Sequence, residues 1–153
     1  MAVKAIPDGY RSVTPYLAIN GAAAAIDYYT RAFGAKELMR FPGPNGRIAH
    51  AEIQIGDSRV MLGDTSPEMH QRDPKSLGGS PAGLMLYVPD VDRVFMRAIE
   101  AGGNVRNAVK DQFYGDRSGT LEDPFGHVWT IATHVEDVSD KELQRRLQQM
   151  QHA

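Results

Sequence analysis

The sequence contains no cysteine, and this absence limits the reactions the protein can catalyse and the cellular compartments it suits. Disulfide bonds, thiol nucleophiles and cysteine-based zinc sites are excluded. A cysteine-free chain suits the reducing cytoplasm, which is the expected compartment. No apolar run approaches the roughly 18 residues of a membrane span, and residues 1–13 lack the apolar core of a signal peptide. We therefore expect no membrane partner.

The chain also lacks an excess of charge of either sign. Its 17 lysine and arginine residues nearly balance 19 aspartate and glutamate residues, which gives a net charge of -2. No basic patch stands out, so we expect no nucleic-acid partner. The 153 residues, of which 42% are hydrophobic, suit one globular domain or two small halves that share a core.

A pattern of one strand, one helix and three strands occurs twice in the chain. The predicted segments are 13–19, 22–33, 36–41, 48–55 and 59–64 in the first copy, and 83–88, 90–102, 105–109 and 114–135 in the second. Gly34 and Gly102 end the two helices. We predict one α+β domain over residues 1–153, with modules at 13–64 and 83–136 and a linker at 65–82.

A final helix is predicted at residues 139–151. Ser139 and Glu142 form a capping box at its start. Leu143 and Leu147 then begin an apolar stripe at helical spacing. We expect this stripe to pack on the same chain, and coverage of a partner subunit is the alternative.

Alternation along the chain assigns the two faces of the central hairpin. A turn at Gly56-Asp57 places Ile55 opposite Ser58. One face is apolar and should pack against the helices; it carries Ala51, Ile53, Ile55, Val60 and Leu62. The opposite, mixed face carries His50, Glu52, Gln54, Arg59 and Met61. A cleft lined by the mixed faces of both modules explains this combination, and an ordinary solvated face is the alternative.

The closing hairpin turns at Asp123-Pro124-Phe125-Gly126, a sequence typical of a type I turn. We predict that Leu121 lies opposite Val128. In this register, Leu121 and Arg117 belong to the mixed face, whereas Trp129 belongs to the packing face. Arg117 is therefore expected to point into the cleft.

His50 and Glu52 are two residues apart on one strand, so they share the mixed face. With Arg117 from the other module they form the predicted catalytic cluster. His50 would act as a general base or a hydrogen-bond acceptor, and Arg117 would bind a carboxylate or phosphate. A Glu52–Arg117 ion pair that only covers the cleft is the structural alternative. The predicted ligand-binding residues are Tyr16, Gln54, Met61, Met85, Tyr87, Tyr114 and Leu121.

The order and spacing of several segments resemble one protein family. AIDYYTRAFGAKEL follows the first strand, GTLEDPFGHVWTI forms the last hairpin, and PYLAINGAAAAIDYY and IAHAEIQIGDSRVMLGD precede DPFGHVW. From residue 13 to residue 137, the chain resembles the vicinal oxygen chelate superfamily of glyoxalase I, bleomycin-resistance proteins and extradiol dioxygenases, and its PhnB-like branch most closely. The resemblance implies two βαβββ modules that form a curved mixed sheet around a cleft.

The resemblance also implies where a metal would bind. Metal-dependent members place one His or Glu on the first and last strand of each module, and these positions fall on Thr14, Met61, Gly83 and Thr130. None of the four supplies a carboxylate or an imidazole. We therefore predict no metal or other cofactor and do not expect glyoxalase I chemistry. A divalent metal at a displaced site is the alternative.

Two functions have support in the sequence, and a third, a structural partner without a ligand, has no positive sign in it. The first is binding of a small, partly apolar molecule in a cleft without the usual metal ligands, as in drug-sequestering members of the superfamily. The second is a metal-dependent lyase, isomerase or dioxygenase that uses His50 and Glu52. The resemblance further implies a homodimer, and the linker at 65–82 would permit exchange of modules between subunits.

Overall fold

A computed structural model describes residues 2–153. The first sheet has the order β1-β4-β3-β2 and contains β1 (Tyr16–Ile19), β2 (Lys36–Pro42), β3 (Ile48–Ile55) and β4 (Ser58–Asp64). The second has the order β5-β8-β7-β6 and contains β5 (Gly83–Tyr87), β6 (Asn104–Asp111), β7 (Asp116–Glu122) and β8 (Val128–His134). The helices are α1 (Ala22–Phe33), α2 (Pro74–Leu77), α3 (Val91–Glu100) and α4 (Asp140–Gln151).

The α+β class and the two βαβββ modules are confirmed. In each sheet the first and last strands of the module are parallel neighbours, and the remaining pairs are antiparallel. A parallel pair needs a crossover connection, and α1 and α3 belong to these crossovers. Strand β6 is longer than predicted, because register shifts next to Asn107 let it continue past an irregular stretch.

Helices α1 and α3 join the two modules on the apolar side of both sheets. The Tyr28 hydroxyl of α1 donates to the Ala98 carbonyl oxygen of α3 at 2.9 Å. Beneath them, the Phe33 and Trp129 rings are 4.7 Å apart between centroids, and Tyr29 stacks on Phe33 at 5.9 Å. Aromatic side chains from both modules therefore form one continuous core.

The predicted register of the central hairpin is confirmed. Ile55 pairs with Ser58 and Ala51 pairs with Leu62. Ala51, Ile53 and Leu62 are fully buried, while His50 and its mixed-face neighbours are only half-buried. The two-residue turn leaves no choice of register, so strict alternation sorts the side chains as expected.

The predicted register of the closing hairpin is wrong by one residue. Leu121 pairs with Trp129, not with Val128. The cause is Gly126, whose φ of 93° adds a left-handed residue after the type I turn, so that Asp123 and His127 close a three-residue loop. A slip of one residue exchanges the two faces of a strand. Arg117 and Leu121 therefore lie on the packing side.

The C-terminal helix makes several polar contacts with the rest of the chain. Arg146 donates to the Phe113 carbonyl oxygen at 2.9 Å and pairs with Glu136 at 2.6 Å and Glu142 at 2.9 Å. No residue of α4 is fully buried, but Leu143 and Leu147 of its apolar stripe are half-buried, so the stripe packs on its own chain outside the core. Within residues 2–153, no helix is long and apolar enough to cross a membrane.

Candidate functional site

The mixed face of the first sheet carries a connected polar and aromatic group around His50. The His50 Nδ1 atom is 3.1 Å from the Tyr16 hydroxyl, and its Nε2 atom is 3.2 Å from Glu52 Oε1. Met61 pairs with both Tyr16 and Glu52, because β4 lies between β1 and β3. Phe41 pairs with His50 from β2. These five residues are called the His50 cluster below.

The hydrogen bonds define how His50 is protonated when its imidazole is neutral. An ionised carboxylate can only accept, so the Glu52 contact requires a proton on Nε2. Nδ1 is then the acceptor for the Tyr16 hydroxyl. This arrangement orients the ring and links Tyr16, His50 and Glu52 in one hydrogen-bonded chain.

Two aromatic rings stand beside the imidazole. The ring centroids of Tyr16 and Phe41 lie 5.6 Å and 5.9 Å from that of His50. Tyr16 is 42% exposed and Phe41 is 52% exposed, so both rings present apolar surface to solvent. The cluster can therefore contact a flat, partly apolar molecule and offer it hydrogen bonds from the same surface.

The N-terminal segment contributes Tyr10 beside this cluster. The nearby Tyr10 hydroxyl lowers the pKa of Glu52, burial opposes this effect, and His50 adds to the lowering. Burial in turn raises the pKa of Tyr10. Sequence reasoning missed Tyr10 because it lies outside the repeated pattern. It missed Phe41 because the register shift at Phe41/Pro42 changes which residues of β2 meet β3.

The other predicted ligand-binding residues are more dispersed. The Gln54 side chain donates to its own turn, at the Gly56 carbonyl oxygen. Met85 and Tyr87 are exposed on the second sheet, and the Tyr87 hydroxyl donates to Asp116 at 2.7 Å. Tyr114 lies after β6, where it lines a depression on the second sheet. Of the seven predicted ligand-binding residues, only Tyr16 and Met61 belong to the His50 cluster.

Two predicted site residues are corrected by the packing. Arg117 pairs with Asp92 of α3 at 2.8 Å and with Asp111 at 3.1 Å, on the helix side of the second sheet. Leu121 is fully buried in the core. Both errors follow from the one-residue register difference, since Leu121 pairs with Trp129 instead of Val128. Arg117 therefore does not join His50 and Glu52.

The four positions at which related proteins hold a metal are not brought together as a donor set. Thr14 and Gly83 line a cavity between the sheets, Met61 lies in the His50 cluster, and Thr130 lies beside Thr120 at 2.9 Å between hydroxyls. Within residues 2–153, no group of three or more His, Cys, Asp or Glu residues is arranged to hold a metal ion. The residues at these positions do not fit the usual metal site.

Comparisons with known sequences agree with the fold and the motifs. The profile of the Glyoxalase/Bleomycin resistance protein/Dioxygenase superfamily matches residues 12–131. The uncharacterized protein Rv0887c of Mycobacterium tuberculosis is 45% identical over 136 residues, which cover 87% of this chain and 80% of that protein.

Solved structures give the same result. TnmS3, an antibiotic binding protein from Streptomyces sp. CB03234, is 26% identical with a TM-score of 0.60, over 88% of this chain and 98% of that one. The PhnB protein from Bacillus cereus is 17% identical with a TM-score of 0.62, over 80% of this chain and 99% of that one, and shows the shared fold alone. With the profile spanning most of its length, the chain belongs to the Glyoxalase/Bleomycin resistance protein/Dioxygenase superfamily.

Proposed function

We propose that the protein binds a small, partly apolar molecule at the His50 cluster. The observation that carries the proposal is a hydrogen-bonded imidazole flanked by two half-exposed aromatic rings. Such a surface can hold a flat ring system by stacking and orient it through a few polar groups. The resemblance to TnmS3, which is described as an antibiotic binding protein, supports the same class of function.

A homodimer forms the second part of this proposal. The mixed face of the first sheet is open, with Tyr16 and Phe41 exposed, and the second sheet exposes Met85 and Tyr87 at 49% and 58%. A face with this much apolar surface favours coverage by a partner. We therefore expect the mixed face of one copy to meet that of a second and to enclose the ligand.

Bleomycin and the flat anthracycline doxorubicin are suitable probes of ligand binding. We expect at least one of them to raise the melting temperature by several degrees at saturation, because a ligand at about 100 times its Kd adds about 2.7 kcal/mol. His50→Ala and Tyr16→Phe should each reduce this shift, since they remove the polar contacts. The measurement is a thermal melt with and without each compound.

His152→Ala is the matched control, because this histidine is exposed in the C-terminal tail. It should keep the full shift. A wild-type protein that responds to neither compound, or a His50→Ala variant that responds like wild type, would count against binding at the His50 cluster. Sedimentation of the wild type at micromolar concentration tests the homodimer separately, and a monomer would contradict that part alone.

The contact between His50 and Glu52 favours one alternative, a metal-dependent lyase, isomerase or dioxygenase with a displaced site. These two side chains lie 3.2 Å apart and both are metal-ligand types. The test is metal analysis of protein purified without chelator, beside His50→Ala and Glu52→Ala. Stoichiometric zinc, nickel or iron that is lost in both variants would decide for the enzyme. A wild type without bound metal, or metal retained in both variants, would decide against it.

A further inference from the structure

A cavity of about 330 Å³ lies between the two sheets and adjoins the His50 cluster through Arg59 and Tyr10. Strand β1 begins only at Tyr16, which pairs with Met61. The first residues of β4 therefore have no β1 residue beside them, and this leaves the space of the cavity. Strand β5 borders the gap from the other module. The cavity shares no residue with the His50 cluster.

The walls of this cavity are mainly apolar. They are formed by Ile55, Val60, Leu84, Leu86 and Trp129. Trp129 is only 2% exposed, so its indole forms part of the cavity wall without being a surface residue. The volume is at the lower end of the roughly 300–1,000 Å³ of small-molecule sites. The cavity therefore suits a compact apolar group such as a single substituted ring.

Two arginines contribute positive charge to the cavity lining. Arg11 and Arg59 both line it. The Arg59 guanidinium lies over the Tyr10 ring, 4.8 Å from the centroid, which fixes its position. Its Nε atom is buried and has no hydrogen-bond partner among residues 2–153. Because Nε itself is closed to solvent, what Arg59 brings to the cavity wall is the positive charge of its guanidinium.

From these features we infer that the cavity binds an organic carboxylate with a compact apolar body, such as a small aromatic acid. The apolar body would occupy the space beside Trp129, and the carboxylate would accept hydrogen bonds from Arg59 at the rim. A guanidinium matches a carboxylate in shape and charge better than it matches a hydroxyl group. Glu52 is the nearby acidic group; Tyr10 and His50 lie against its carboxylate, and Arg59 acts on it only through its charge. The inference does not depend on the proposed function.

Trp129 is the only tryptophan of the chain, so its fluorescence reports on this cavity. The probes are 4-iodobenzoate and 4-iodobenzyl alcohol, which share an iodinated ring that quenches indole emission on contact. We expect saturable quenching by the acid, with a Kd at least tenfold lower than that of the alcohol. Equal affinities, or quenching that never saturates, would overturn the inference.

Charge variants locate the carboxylate. Arg59→Met should raise the Kd of 4-iodobenzoate at least tenfold and leave that of the alcohol unchanged, while Arg59→Lys should retain part of the affinity. Because Arg59 packs on Tyr10, a melting curve checks the fold, and Arg11→Gln provides a second charge variant on an exposed side chain. An unchanged Kd for the acid in Arg59→Met would contradict the assignment, and a raised Kd in Arg11→Gln alone would place the carboxylate at Arg11 instead.

His50→Ala separates this inference from the proposed function. It should leave quenching by 4-iodobenzoate intact, because His50 does not line the cavity. Loss of quenching in His50→Ala would overturn the inference, because it would show that the acid binds at the His50 cluster. Conversely, unchanged melting with both antibiotics would remove the proposed function without affecting the carboxylate site.

Discussion

Replacing Asp123 by alanine is expected to lower the free energy of unfolding by about 3–5 kcal/mol. The Asp123 carboxylate is 1% exposed and accepts from the Tyr29 hydroxyl at 2.5 Å and the Trp129 indole N–H at 3.0 Å. It also accepts from the backbone N–H groups of Phe125 and His127. Alanine would leave these donors buried without an acceptor, which costs about 1–3 kcal/mol for each group that stays unsatisfied.

Asp123→Asn should cost less, about 2 kcal/mol, because an amide keeps one acceptor oxygen. The Tyr29 hydroxyl can turn to accept from the amide nitrogen, but the Trp129 indole can only donate. Urea unfolding followed by Trp129 fluorescence measures both variants, since this tryptophan contacts the altered side chain.

Asp27→Ala is the matched control for Asp123→Ala. This aspartate lies exposed on α1 and pairs with Arg31 at 2.9 Å. Its removal should change the free energy of unfolding by no more than about 0.5 kcal/mol. An Asp123→Ala variant within about 1 kcal/mol of wild type would show that the carboxylate does not hold the two modules together.

Replacing Asp64 by asparagine is expected to cost about 2–3 kcal/mol at neutral pH. Asp64 accepts from the backbone N–H groups of Gly21 at 2.8 Å, Ala22 at 3.0 Å and Ile48 at 2.7 Å. The first turn of α1 contains no acidic residue, and no neighbouring side chain caps it. Asp64, at the end of β4, therefore accepts the hydrogen bonds of the free backbone N–H groups at the start of α1. Asparagine would place an N–H₂ group against one of these donors.

The same variant should change the dependence of stability on pH. Burial disfavours the charged form of Asp64, but the hydrogen bonds from Ile48, Ala22 and Gly21 outweigh burial and lower its pKa below the ordinary 3.8. A lowered pKa stabilises the folded state above the unfolded pKa of about 4, and this contribution is lost as the pH falls through the folded pKa. Wild type should therefore lose more stability than Asp64→Asn on acidification below about pH 4.

Asp27→Asn serves as the control in this pH series because its carboxylate is exposed. At neutral pH its free energy of unfolding should lie within about 0.5 kcal/mol of wild type. If the curves of Asp64→Asn run parallel to wild type below pH 4, the ionised carboxylate does not stabilise α1 in the manner described. Chemical unfolding at several pH values provides the comparison.

The His50 cluster could be predicted only in part. The two-residue turn at Gly56-Asp57 sets the register of its hairpin, so the shared face of His50 and Glu52 follows from the sequence. Tyr16 joins them because β1 lies parallel to β4, which the repeated pattern implies. Tyr10 could not be foreseen, because its position depends on where an irregular segment crosses the sheet.

The closing hairpin illustrates the opposite case. Its turn residues correctly predict a turn, but the left-handed Gly126 adds one residue to the loop, and this alone transfers Arg117 and Leu121 to the other face. Type I turns occur both with and without such an extra residue, so local composition does not choose between the registers.

The amino-acid sequence by itself determined the repeated βαβββ pattern, the bounds of α1 and the apolar face of the central hairpin. These features depend on periodicity and turn chemistry over a few residues. Only the tertiary structure decided that Asp64 caps a helix, that Asp123 joins two modules and that Arg59 borders a cavity. These roles join groups far apart in the chain, such as Tyr29 and Asp123. Their proximity results from how the modules pack, which no local pattern encodes.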